Sequence, residues 1–209
     1  MKILKFAALI TCLLLIFSGG VFAQEDQGIK FTVLGGLDLF GNVTAENDDL
    51  DVDDDEDANI GVLFGAEAAM MLSENFYAGL GLRYQLPREL DVDDSDAFNF
   101  VPIYVLLQYN FGNQGSIIPF VVGHIGYNFF IAETDALEDL ADTYLTDASV
   151  GTEGGLYWGI GGGVYVTENV SIQALYNINY GAYTVEADEG DYDLDVIYSK
   201  LTISAAYTF

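Results

Sequence analysis

Cysteine, proline, histidine and positive charge are all scarce in this sequence. Six basic residues stand against 33 acidic ones, for a formal net charge of −27. That balance excludes a nucleic-acid partner, because a phosphate backbone is bound by basic side chains that neutralise it. The one cysteine, Cys12, lies inside an apolar run that continues through Leu13-Leu14-Leu15-Ile16, which is not the setting of a lipidated cysteine. Without Cys12 an exported chain has no disulfide, so its stability has to come from a closed hydrogen-bonded structure. No segment reads as a transmembrane helix, which needs about 20 consecutive apolar residues.

The N-terminus is what an exported chain needs. Lys2 and Lys5 form a positive start, Phe6 to Phe17 is mostly apolar, Ser18-Gly19-Gly20 breaks the run, and Val21-Phe22-Ala23 ends on a small residue. This pattern predicts a signal peptide over 1–23, cleaved after Ala23, and a single domain over 24–209. The alternative is an uncleaved anchor, for which the apolar run is short.

The remainder repeats one theme. Eight segments of about a dozen residues alternate apolar with small or polar side chains, over 29–42, 59–72, 76–86, 99–111, 118–130, 154–166, 170–184 and 196–209. Their connections alternate too. Those at 73–75, 112–117 and 167–169 are short, and those at 43–58, 87–98, 131–153 and 185–195 are long. Successive connections of an up-and-down barrel lie at opposite ends, so one end has tight turns and the other long loops. Outer-membrane barrels have that asymmetry and an even strand number.

The two faces of each segment settle inside from outside. In the eighth, Leu201, Ile203, Ala205, Tyr207 and Phe209 oppose Lys200, Thr202, Ser204, Ala206 and Thr208. In the fourth, Val101, Ile103, Val105, Leu107, Tyr109 and Phe111 oppose Pro102, Tyr104, Leu106, Gln108 and Asn110. The second face is Gly, Ser, Thr, Asn, Gln and Tyr with few charges. A soluble exterior carries many more Lys and Glu, whereas a narrow lumen is filled by side chains, small ones accommodating large. The expected fold is therefore all-β, an eight-stranded antiparallel up-and-down transmembrane β-barrel. Phe76, Phe111, Tyr207 and Phe209 would join an aromatic girdle near the short turns.

The signal sequence, the eight segments and the ending Ala206-Tyr207-Thr208-Phe209 together resemble the small outer-membrane β-barrels of the OmpA/OmpX-like superfamily, the outer membrane protein β-barrel domain class. FVPIYVLLQYNF and GLYWGIGGGVYVTENVSIQALYNINYG have the general look of that family. The resemblance covers about 28–209 and implies a place in the bacterial outer membrane. It also implies that Tyr207 and Phe209 form the terminal aromatic signal read by the barrel-assembly machinery. No peptidoglycan-binding domain follows Phe209 in the sequence, so cell-wall tethering of the OmpA type is not expected.

The lumen face is expected to carry Lys30, Asp38, Glu67, Arg83, His124 and Lys200. Counting back from Ser73-Glu74-Asn75 sets Glu67 and Arg83 near-diagonal, and Asp38 and Lys200 fall at similar heights on the first and eighth segments, which meet at closure. Unpaired charges in a narrow interior are costly, so two ion-paired plugs are expected, Glu67–Arg83 and Asp38–Lys200. The alternative is a gated polar path. His124 is read as a satisfied core histidine. A lipid A deacylase of this barrel size uses a lipid-facing His-x-Ser pair, whereas His124 faces inward and is followed by Ile125-Gly126, so no catalytic constellation and no enzyme are expected.

The long loops hold most of the acidic residues: AENDDLDVDDDED, RELDVDDSD and EADEGDYDLD. One reading is a solvated, mutually repelling crown. The other is weak multi-site binding of divalent cations such as Ca²⁺ by Asp51, Asp53, Asp55, Asp91 and Asp93, because hard oxygen donors suit hard cations. No loop fits the EF-hand pattern, since Glu56 stands where that pattern would turn on glycine. Leu137, Leu140 and Tyr144 in the third loop are spaced for a short surface helix, the element expected to touch a partner. No other cofactor is expected. The expected partners are outer-membrane lipid, lipopolysaccharide and the barrel-assembly machinery, around a monomer. The expected function is non-enzymatic: a structural, surface-interaction or adhesion role through the loops. The alternative is a small pore or transporter for a small cationic or apolar solute, and a membrane enzyme ranks third.

Overall fold

A computed structural model describes residues 28–47, 52–87, 98–112, 117–132, 134, 149–187 and 190–209. The strands are β1 Lys30–Asn47, β2 Val52–Ala58, β3 Gly61–Ser73, β4 Phe76–Gln85, β5 Phe98–Asn110, β6 Ile118–Ala132, β7 Ser149–Tyr165, β8 Val170–Ala187 and β9 Gly190–Thr208. Every pairing is antiparallel between neighbours. The order β1-β3-β4-β5-β6-β7-β8-β9 closes back on β1, a ring of eight strands. Closure leaves no sheet edge in the ring, which lipid requires because it cannot hydrogen-bond free backbone groups.

Two expectations about the long-loop end are corrected. The first and fourth long connections are largely strand. The 43–58 stretch supplies the end of β1 and all of β2, which pair from Gly41–Ala58 to Asn47–Val52. β2 runs on into β3 across Asn59-Ile60, so β1 pairs first with β3 and then with β2. The 185–195 stretch is also paired, with β8 and β9 opposed up to Ala187–Gly190. The cause is alternation that does not stop where the charge begins. Tyr192, Leu194 and Val196 share one face of β9, and exposed Asp193 and Asp195 lie on the other. The alternating Asp193 and Asp195 there follow the two-residue repeat of a strand.

The side-chain pattern explains the environment. On β9 the outward positions run Phe209, Tyr207, Ala205, Ile203, Leu201, Ser199 and Ile197 before Asp195 brings the first carboxylate. At about 3.4 Å per residue and a tilt of ~40°, this uncharged stretch is about 31 Å tall, enough to cover the ~25 Å apolar band of an outer-membrane barrel. Exposed Phe31, Tyr109, Phe111, Tyr207 and Phe209 ring its short-turn side, and Tyr84 and Tyr127 its opposite side. Ring contacts of 5.0 Å between Tyr207 and Phe209 and 5.3 Å between Tyr109 and Phe111 tie the lower girdle together.

Besides a register shift beside the β3–β4 turn, between Met71 and Ser73, two bulges reset the alternation. In β1 the register shifts between Leu39 and Asn42, where exposed Phe40 adopts a left-handed φ of 52°. Below the bulge even-numbered residues such as Leu34 and Asp38 face inward; above it Gly41 and Val43 do. A second shift in β7, between Gly154 and Tyr157, does the same there. Above the Asn128–Gly155 pair β6 and β7 part company. From that point β6 stays with β5 up to Phe98–Ala132, and β7 with β8 up to Ser149–Glu186.

Candidate functional site

The middle of the lumen is one hydrogen-bonded layer. Arg83 on β4 sends Nη2 to Glu67 Oε1 on β3 at 3.4 Å and Nε to the Tyr104 hydroxyl on β5 at 2.9 Å. Tyr104 donates in turn to Glu67 Oε1 at 2.7 Å. Its ring stacks on His124 of β6, with centroids 4.3 Å apart. His124 Nδ1 lies 3.3 Å from the Tyr157 hydroxyl of β7, which donates to Asn177 Oδ1 of β8 at 2.8 Å. Asn177 Nδ2 reaches Thr202 Oγ1 of β9 at 2.7 Å, and Thr202 donates to Asp38 Oδ1 of β1 at 2.6 Å. Lys200 Nζ stands 3.4 Å from Asp38 Oδ2 and 4.3 Å from the Tyr198 ring centroid. All eight ring strands contribute, because their inward positions at this height meet in a lumen one side chain deep.

Burial makes this layer rigid. Arg83 and Lys200 are 2% and 1% exposed, with Asp38 as deep. Glu67, at 14%, is the most accessible of the four charges. Small residues make the room: a Cβ at Gly81 would collide with the Tyr104 ring, and one at Gly41 would stand 2.7 Å from the Tyr198 hydroxyl. Toward the short turns lies a polar void of about 30 Å³ lined by Lys30, Thr32, Glu67, Tyr77, Gln108 and Tyr165 among others, room for one or two waters. Lys30 rests over the Tyr77 ring at 5.0 Å there.

Toward the other end the lumen turns apolar. Val43, Phe98, Phe100, Phe130, Val196 and Tyr198 form a buried cluster, with Ala58, Ala132 and Tyr183 packed on it. Phe100 stacks on Phe130 at 4.8 Å and on Tyr198 at 6.0 Å, and Phe98 meets Tyr198 edge-on at 5.7 Å. Between this cap and the charged layer sit fully buried Asn128 and Asn179, joined by a 2.9 Å bond.

The structure thus brings Asp38 to Lys200 and Glu67 to Arg83, and it sets His124 between the two pairs. Tyr207 and Phe209 lie on the outward face at the closing seam, where Phe209 N donates to Phe31 O at 2.8 Å. Asp51, Asp91 and Asp93 lie outside the described residues, as do the side chains of Asp53 and Asp55, the leader over 1–23 and the Leu137–Tyr144 stretch. Among the described residues no group of three His, Cys, Asp or Glu side chains is arranged to hold a metal ion. The linkers Tyr104, Tyr157, Asn177 and Thr202 carry no charge and so did not stand out as site residues. Their inward parity was the signal that could have found them. Phe100, Phe130, Val196 and Tyr198 of the aromatic cap lie within the alternating segments, but parity places them inward without showing that they meet, and the β1 bulge turns Val43 inward to join them.

Residues 9–209 match the family described as outer membrane protein beta-barrel domain. The fold is similar to that of Neisserial surface protein A, with a TM-score of 0.50 and 17% identity over 87% of this chain and 99% of that one. It is similar as well to OprG of Pseudomonas aeruginosa, at 0.50 and 14% over 88% and 97%. A third likeness is to AlkL determined in DMPC bilayers, at 0.54 and 15% over 90% and 92%. No curated protein sequence matches the chain. The closed antiparallel ring, the apolar band and the family match agree: this chain belongs to the outer membrane protein β-barrel domain family and resides in the bacterial outer membrane.

Proposed function

We propose that the protein is a non-enzymatic envelope component whose lumen is closed and whose working surface is the acidic rim facing outward. The observation that carries this is closure at two levels, an ion-paired layer and an aromatic cap, within one narrow barrel. A barrel filled in this way has nothing to pass and presents its surface instead. Above the apolar band that surface holds exposed Asp57, Glu153, Asp193 and Asp195. A carboxylate rim of this kind meets its surroundings through cations: basic groups of a partner, or divalent ions bridging to the anionic headgroups of lipopolysaccharide. The barrel-assembly machinery would read Tyr207 and Phe209 on the way in.

The test is single-channel recording of the refolded barrel in a planar bilayer at neutral pH, paired with a binding assay of barrel-bearing vesicles on lipopolysaccharide with and without Ca²⁺. A silent barrel that binds in a Ca²⁺-dependent way supports the proposal. Steady open levels at neutral pH would replace it with a small-solute pore.

A further inference from the structure

His124 holds an empty base in the middle of the layer. The hydrogen-bond directions fix this. Asn177 Nδ2 faces the Leu175 carbonyl at 3.1 Å as well as Thr202, so its amide orientation is set and Oδ1 is the atom turned to Tyr157. The Tyr157 proton is therefore committed to Asn177. His124 Nδ1 has to be the donor to the Tyr157 oxygen, which leaves Nε2 as a bare lone pair. That nitrogen is buried, in a residue 5% exposed, and finds no hydrogen-bond partner among the described residues. A core histidine whose second nitrogen meets nothing is not a satisfied one.

We infer that the layer carries a one-proton switch: a proton taken up at His124 Nε2 loosens the plug and, through Lys200 seated on the Tyr198 ring of the aromatic cap, the cap with it, and lets water and small ions through. The charged and titratable groups around it are Arg83 on β4, Glu67 on β3, Tyr104 on β5, Tyr157 on β7, Asp38 on β1 and Lys200 on β9. Two cations and two anions balance while the imidazole is neutral. A third cation breaks that balance, and its new N–H finds no acceptor in the closed layer. A buried charge without a hydrogen bond is expensive, so the layer relieves it by admitting water or by drawing Glu67 away from Arg83 and Tyr104. Glu67 is the member able to move, because it borders the polar void. The switch rests on the closed-lumen reading and makes that closure conditional on pH.

The test uses the full barrel, whose lone histidine gives a single pair of imidazole signals on ¹⁵N-histidine labelling. At neutral pH the spectrum should report the Nδ1–H tautomer and the bilayer should be silent. On acidification, imidazolium should appear together with open events. With one proton as the switch, the open-to-closed ratio rises by at most about tenfold per pH unit. His124→Phe keeps a ring on Tyr104 but cannot take up a proton; it should fold, judged by heat-modifiable gel mobility, and stay silent at both pH values. His124→Asn tests the same point with a polar side chain. An Nε2–H tautomer at neutral pH, acid-induced opening that survives in both variants, or silence while imidazolium forms would each overturn the inference. Conductance of the wild type already at neutral pH would instead overturn the closed-lumen reading.

Discussion

Arg83→Ala removes a cation that ties β3, β4 and β5 together inside the lumen. It deletes the 2.9 Å bond to Tyr104, the 3.4 Å pair with Glu67 and the packing of the guanidinium 5.2 Å from the Tyr104 ring centroid. Breaking a buried ion pair by removing one partner costs about 3–5 kcal/mol, because the other charge stays behind unpaired. Glu67 borders a void and keeps the Tyr104 hydroxyl, so water can reach it, and the cost should fall at the low end, about 3 kcal/mol. With a urea slope of roughly 2 kcal/mol per molar, the unfolding midpoint in lipid vesicles drops by about 1.5 M. Trp158, the only tryptophan, reports the transition by fluorescence. Adding Glu67→Gln to Arg83→Ala should return part of the loss, since it withdraws the orphaned carboxylate, and the coupling in the double-mutant cycle should reach about 1–3 kcal/mol. An Arg83→Ala barrel that melts within about 0.5 kcal/mol of wild type, the scatter of an ordinary surface substitution, would refute the view that this layer is a plug held by its charges.

Phe100→Ala empties the centre of the apolar cap and should destabilise by about 3–5 kcal/mol, yet leave the neutral-pH bilayer silent, because the charged layer still closes the lumen; conductance appearing in this variant would place the barrier in the cap. Replacing Tyr207 and Phe209 by Ala together should slow accumulation of folded barrel in cells by more than it slows refolding of pure protein into vesicles, and equal slowing in both would make the pair a lipid anchor and not an assembly signal. Asp193→Asn with Asp195→Asn should change stability by less than about 0.5 kcal/mol, since both are exposed, while weakening any Ca²⁺-dependent attachment to lipopolysaccharide vesicles; unchanged attachment would move the cation bridge elsewhere on the rim.

The sequence was legible where one physical rule acted alone. Alternation named the inward and outward faces of β5 and β9 residue by residue, because lipid on one side and a filled lumen on the other leave little room for exceptions. The juxtapositions of Asp38 with Lys200 and of Glu67 with Arg83 were also within reach, since an up-and-down order makes neighbours of consecutive strands and a short turn fixes register. The rim was not. There a run of charge reads as a loop, although Asp193 and Asp195 are the solvent face of a strand whose other face is Tyr192, Leu194 and Val196. The Leu39–Asn42 bulge could not be foreseen either, as nothing in Leu39-Phe40-Gly41-Asn42 announces that Phe40 takes a left-handed turn. The linking chain through Tyr157, Asn177 and Thr202 depends on side-chain directions that alternation places on a face but does not join.

The seam between β1 and β9 sets a clock on the protein's birth. Thr32 and Thr208 share a 2.9 Å hydrogen bond across 176 residues of chain, and Phe209 N closes on Phe31 O beside it. Contacts that distant are slow to form, and until they form both β1 and β9 carry an open edge that lipid cannot satisfy. Any hairpin made early must therefore wait, unfit for the bilayer and prone to pair with a neighbour, until the other end of the chain arrives. The barrel cannot enter its membrane by instalments. The ring shuts in a single act, with Lys200 meeting Asp38 only at that moment.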